Sequence, residues 1–237
     1  MDAGRPRSGL VVVGPEAEPA VGAHRLLLDD SAPLGVPAHV TVLFPFVPAD
    51  EVDEVIAQRV AGVLLDLPAF PYVFTRTGWF DDAVLWLAPD DPQPFRELTA
   101  RVGAEFPNHP PFEGVFDDVV PHLTIGHRHP RAVLAAAERE VVVGLPVSGW
   151  ATEIVLLAEQ RAGGRWSRRA SFRLGGDRHQ PPVMVSTSST AVDVESSSAP
   201  TCSRVPRNGS MVGMRTRFSR PTSKTTESHE AAATWAG

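Results

Sequence analysis

Two short segments of the chain set a histidine and a threonine in the same surroundings: Pro37-Ala38-His39-Val40-Thr41-Val42 and Val120-Pro121-His122-Leu123-Thr124-Ile125. Each contains His-apolar-Thr-apolar, and none of the other histidines opens such a tetrad. Random placement of this composition yields about 0.09 tetrads per chain, so two of them are a signal. Side chains of an extended strand alternate between faces; His39 and Thr41 therefore project together, while Val40, Val42 and Phe44 project into the core. His122 and Thr124 stand in the same way opposite Leu123 and Ile125. Two imidazoles and two hydroxyls that converge from rigid strands suit a phosphodiester. A neutral imidazole takes a proton from water or a ribose hydroxyl, and a protonated one donates to the leaving oxygen. An ordinary pKa of ~6.5 lets both forms coexist near neutrality. The Thr41 and Thr124 hydroxyls can bond the non-bridging oxygens, whose charge grows in the transition state. This chemistry needs no metal and no cofactor.

Other residues compete for roles around such a site. Phe46, Trp79, Phe80 and Trp166 are aromatic candidates for stacking on a base, although large aromatics more often fill a core. Phe46, just after the first tetrad, and Trp79, at a strand end, rank first as groove walls. Arg165, Arg168 and Arg169 can neutralise a phosphate, but an exposed arginine on a strand is the plainer account. Asp117-Asp118 suits either a groove mouth or a solvated turn. His127 and His129 suggest a metal cluster with His122, but strand parity points them away from it and no zinc-binding helix motif is present. His109, within Asn108-His109-Pro110-Pro111, reads as a solvated loop residue.

The elements that must carry these groups alternate along residues 9 to 175. Strands are expected near 10–13, 38–44, 71–80, 83–87, 121–126, 152–160 and 166–174. Helices are expected near 16–28, from Asp50 as N-cap through Leu67, from Asp91-Pro92 onward, and from Pro130 through Glu140. The order is α+β in two strand-helix-strand halves, whose common solution is a curved or split sheet with helices outside.

Charge and composition bound the partners. The 237 residues carry 22 Lys/Arg and 28 Asp/Glu. Residues 1–175 hold 15 basic and 23 acidic side chains, a net of −8. A grip on long nucleic acid needs a basic stripe, so a small nucleotide or an RNA end is the expected substrate, and stable binding of long nucleic acid is not. From residue 176 onward 19 residues are Ser or Thr and large aliphatics nearly vanish, so 176–237 is expected to be a disordered tail. One cysteine, Cys202, leaves no internal disulfide, and no apolar run approaches a membrane span or an export signal. A cytoplasmic monomer is expected.

The tandem tetrads, about eighty residues apart, resemble the signature strands of the 2H phosphoesterases, the superfamily of 2'-5' RNA ligases and RNA 2',3'-cyclic phosphodiesterases. The similar strands are His39 to Phe46 and Val120 to His127, and the likeness in layout covers residues 9 to 175. The resemblance implies a bilobal, pseudo-twofold α+β fold in which two antiparallel sheets line a central groove, with helices outside. It also implies metal-independent hydrolysis or transesterification of 2',3'-cyclic or 2'-5' phosphodiesters, with His39 as proton donor and His122 as acceptor. The alternative is a binding module that keeps the two-histidine groove and recognises a nucleotide without turnover.

Overall fold

The computed structural model describes residues 4–111, 119–175 and 183–184. An apolar run builds strand β1 (Ser8–Val13), and Pro15 opens a single 3-10 turn before helix α1 (Glu18–Leu28). Proline fits there because the first-turn N–H groups have no helical partner. The chain then returns antiparallel to β1 as β2 (His39–Leu43). Helix α2 (Glu54–Leu64) is capped by Asp53, whose carboxylate accepts from the Ile56 amide at 2.9 Å. The sequence pointed to Asp50 as the cap, but Asp50 pairs with Arg5 at 2.7 Å. Hydrophobic spacing alone does not separate two acids three residues apart.

Next come the hairpin β3 (Phe70–Phe80) and β4 (Val84–Pro89), helix α3 (Gln93–Glu105), strand β5 (Leu123–His127) and helix α4 (Arg131–Val141). Strands β6 (Val147–Ala151), β7 (Glu153–Glu159), β8 (Trp166–Arg173) and β9 (Val183–Met184) follow. The β6 strand was not expected, since Ser148 and Gly149 interrupt its apolar pattern. Gly149 is required there, because a Cβ would stand 2.5 Å from the Tyr72 hydroxyl.

All strand pairs are antiparallel, in two sheets ordered β2-β1-β7-β8-β9 and β5-β4-β3-β6. The orders are related: each tetrad strand is the edge of its sheet, paired with the strand that precedes its crossover helix, as β1-α1-β2 in one sheet and β4-α3-β5 in the other. Each crossover helix packs on the sheet it does not serve, α1 on β5 and α3 on β2. The fold is thus the expected bilobal, pseudo-twofold α+β architecture. One large core joins helices and both sheets, and a smaller cluster holds Val11, Val36, Phe44, Val155, Leu157 and Trp166. Phe44 is buried, as expected, but not on the face of Val40. The register of β1 against β2 shifts between Leu10 and Val11, and this irregularity turns Phe44 to the side of Val11, where it joins the smaller cluster.

Val183 and Met184 pair with Ser171 and Ala170, so the first sheet takes in two residues past the change of composition at 175. Asp117-Asp118, and the Ser/Thr-rich tail other than those two residues, lie outside the described residues.

Candidate active site

His39 opens β2, and His122 immediately precedes β5. These edge strands touch each other, so the two tetrads meet along the seam between the sheets. Both imidazoles are held in the same way. Nδ1 of His39 donates to the Pro37 carbonyl and Nδ1 of His122 to the Val120 carbonyl, each at 2.7 Å. A carbonyl only accepts, so Nδ1 carries the hydrogen and the lone pair of each neutral ring sits on Nε2.

His39 and His122 are 6% and 8% exposed. Burial pushes His39 down, Arg25 adds to the effect, and its pKa falls to about 4. Burial also lowers His122. A charge on His122 would lower His39 further. Thr41 lies opposite Val11 and Thr124 opposite Trp86, both partly buried.

Cross-strand pairing defines what else shares the second tetrad's face. Gly78 pairs with Trp86 and Trp86 with Thr124; Phe80 pairs with Val84 and Val84 with His127. Phe80 stacks on Trp86 at 4.9 Å, and both rings lie against His122, at 4.9 and 5.9 Å. Phe80 was among the aromatic candidates; Trp86 was missed. Hairpin register was the signal that could have found it, since residues 78, 80, 84 and 86 then share one face.

The aromatic residues ranked first are elsewhere. Trp79 occupies the opposite face of β3, where its indole N–H donates to Glu138 at 2.9 Å and the Arg131 guanidinium covers its ring at 4.8 Å. Strand alternation separates it from Phe80. Phe46, 4% exposed, packs edge-on to Phe106 in the main core. It lies beyond the end of β2, where its amide bonds the Ser8 carbonyl, so strand parity no longer governs it. Trp166 is buried against Phe44 beneath Arg7. Arg168 pairs with Glu153 at 3.0 Å. His109 is half-buried rather than solvated, with its ring edge toward Phe46.

His127 departs from the parity expected of it. The register of β4 against β5 shifts between Leu85 and Trp86, so residues 124 and 127, an odd interval, share a face. His127 is buried with its Nε2 3.6 Å from the Asp29 carboxylate, and its Nδ1 has no hydrogen-bond partner among the described residues. Asp29 also accepts from Arg25 at 2.7 and 3.1 Å, and from the Ser31 amide and hydroxyl at 3.0 and 2.7 Å. Arg25 further donates to the Val36 carbonyl at 3.3 Å. Burial alone would raise the Asp29 carboxyl, but His127, Arg25 and Ser31 together hold it well below the usual carboxylate range. This buried network ties both ends of the α1–β2 loop, just ahead of His39, to the end of β5. Nothing in residue spacing announced it, because its members meet only through the fold. Among the described residues no three His, Cys, Asp or Glu side chains gather to hold a metal ion.

Paired imidazoles on pseudo-symmetric strands, each with a hydroxyl on the same strand, define the class as a two-histidine phosphoesterase. Residues 13–163 match the sequence model of the 2'-5' RNA ligase superfamily, and the chain belongs to that superfamily, the 2H phosphoesterases, with phosphoesterase- or ligase-type activity. Its structure is similar to that of TT0787 from Thermus thermophilus, which is 20% identical with a TM-score of 0.50, over 72% of this chain and 99% of that one. It is also similar to LigT from E. coli in the apo form and complexed with 3'-AMP. Both LigT structures are 18% identical and cover 73% of this chain and 99% of theirs, with TM-scores of 0.49 and 0.48. No curated protein matches the chain significantly. No helix among the described residues is long and apolar enough to cross a membrane.

Proposed function

We propose that the chain hydrolyses 2',3'-cyclic or 2'-5' phosphodiester bonds of a small nucleotide or an RNA end, with His39 and His122 as the proton-transfer pair and no metal. The observation that carries this reading is the matched anchoring of the two rings. Each Nδ1 is committed to a carbonyl two residues back, which leaves Nε2 as the proton-exchanging atom of both. One Nε2 takes a proton from the attacking water as its oxygen bonds to phosphorus. The other gives a proton to the ribose oxygen as the P–O bond breaks, so the pair ends with its protonation states exchanged. The Thr41 and Thr124 hydroxyls donate to the non-bridging oxygens. Burial keeps both rings neutral near pH 7, and the bound phosphodiester anion favours the charged form of one of them, so substrate binding itself creates the acid. His39 remains the donor by family analogy.

The acidic charge of residues 1–175 supports a small or terminal substrate over long nucleic acid. A single cysteine supports the cytoplasm as the compartment, with the protein acting as a monomer. The test is hydrolysis of 2',3'-cyclic nucleotides and 2'-5' dinucleotides in the presence of chelator. Wild type turns over at least one, and His39→Ala and His122→Ala each lose on the order of 10²-fold or more. Equal rates in wild type and both variants would defeat the reading.

A further inference from the structure

We propose that Arg76 forms a second anion subsite in the groove, which takes a phosphate next to the one held between the histidines. The proposal rests on the phosphodiester reading of the site and adds a residue to it.

The backbone irregularity before Arg76 directs the side chain. In β3, Phe74 pairs with Pro89 but Arg76 pairs with Ala88, so Thr75 is an extra residue in the ladder. Thr75 is held in place by its hydroxyl bond to Asp90. Without the extra residue, Arg76 would share the face of Phe74, in the core. With it, Thr77 and Trp79 take the helix side, where both donate to Glu138, and Arg76 takes the other side together with Gly78 and Phe80.

Pairing also fixes how far along the groove Arg76 stands. Leu87 pairs with Leu123, so Ala88 is level with His122, and Arg76 is level with both. Two strand spacings separate Arg76 from His122, roughly 10 Å between backbones. Between them Ala88 contributes only a methyl group, and the long arginine side chain can close much of that gap.

Arg76 is exposed, and among the described residues it has no hydrogen-bond or ion-pair partner. Arg5, Arg25, Arg59, Arg131 and Arg168 each have a carboxylate partner; Arg139, Arg161, Arg165 and Arg173 have none among the described residues either, so it is the place of Arg76, level with His122, that singles it out. A guanidinium without a carboxylate, beside a phosphodiester site, matches the planar two-oxygen geometry of a phosphate. The ligand class is a nucleotide that carries a second phosphate, either a 5'-phosphate or the next phosphodiester of an RNA end.

The experiment is calorimetric binding of adenosine 3',5'-bisphosphate and adenosine 3'-monophosphate to the full chain, as wild type, Arg76→Gln and Arg76→Lys. Wild type should prefer the bisphosphate on the order of tenfold. Arg76→Gln should bring that ratio close to one and Arg76→Lys should restore part of it. Because the readout is binding, it stands apart from turnover: a lost preference in Arg76→Gln supports the subsite even if no cyclic phosphate is hydrolysed. No preference in wild type, or the same preference in Arg76→Gln, overturns it. Extending the comparison to a dinucleotide with a 3'-phosphate distinguishes a 5'-terminal phosphate from an internucleotide one.

Discussion

Gly78 lies directly beneath the indole of Trp86: a Cβ built on Gly78 would meet ring carbons at 2.5 and 2.6 Å. The indole carries Phe80 on its other contact, and both rings brace His122. Gly78→Ala should therefore displace the aromatic pair and with it His122. Overpacking of this kind costs about 1–3 kcal/mol. We expect a lower melting temperature, together with a fall in kcat on cyclic nucleotides larger than the fall shown by a surface glycine variant such as Gly62→Ala, whose Cβ would meet nothing within 4 Å. Wild-type kcat in Gly78→Ala would show that His122 is positioned without its aromatic support.

The two lowered imidazoles set the pH behaviour. The proposed proton transfer needs one ring protonated and one neutral, so kcat/KM should peak between their two values in the unliganded protein, on the acid side of the ordinary ~6.5. The profile of kcat should peak at higher pH, because bound phosphodiester favours the protonated ring. Initial rates from pH 4 to 9 with a cyclic nucleotide check this, and a kcat/KM maximum above pH 7.5 would contradict it.

Folding stability carries the same signature. His39 binds a proton near pH 4 when folded and near 6.5 when unfolded, so between those values the unfolded chain holds more protons. Stability should fall as pH drops from about 6.5 to about 4, with a slope of up to about 1.4 kcal/mol per unit from His39. His122 adds in the same direction. The depressed Asp29 carboxyl acts further down, with its contribution lost below the ordinary carboxylate range. Urea unfolding of wild type and His39→Gln at pH 7.5, 6 and 5 measures this, and the variant should show the shallower dependence.

Removing Asp29 should be costly out of proportion to its size. Arg25 is 2% exposed, and Asp29 accepts from two of its guanidinium nitrogens. Asp29→Ala leaves the buried guanidinium with only the more distant Glu18 carboxylate, at 3.9 Å, as counter-charge; removing one partner of a buried pair costs about 3–5 kcal/mol in comparable cases. The double variant Asp29→Leu with Arg25→Met should recover much of that stability by removing both charges. Activity should not recover with it, because the loop ahead of His39 loses its ties to Val36 and Ser31. Chemical denaturation beside kcat on the same samples separates the two effects.

The hydroxyls admit a simpler check. Thr41→Val and Thr124→Val keep the shape and β-branching of their strands, so melting temperatures should stay close to wild type. Loss of a donor to the non-bridging oxygens should lower kcat by on the order of tenfold or more. Both variants at full kcat would remove threonine from the chemistry.

What could be read from residues alone follows a physical line. The placement of His39 with Thr41, and of His122 with Thr124, was legible because strand alternation is local, and their β-branched and aliphatic neighbours encode the buried side. Phe44, Arg76 and His127 were not, since each follows a ladder irregularity that adds a residue and reverses the alternation. The apolar pattern reads much the same with or without that extra residue. Phe46 and Trp79 show the same limit from the other side: proximity in sequence to a tetrad or a strand end says little about which face a ring occupies. The strand and helix order was readable because each crossover carries strong periodicity, whereas β6, short and glycine-containing, takes its extended shape from Tyr72 and β3. The Arg25–Asp29–His127 network is the least legible part, for its attraction exists only once α1 and β5 are packed.

The exchange of crossover helices, α1 onto β5 and α3 onto β2, makes the two lobes mutually dependent. Each sheet is sheltered by a helix whose connections lie in the other, so neither half holds a self-sufficient interior. A gene fragment that ended between β3 and α3 would leave β2 bare and strand α1 without its bed. Two halves that look like similar modules therefore depend on each other for cover.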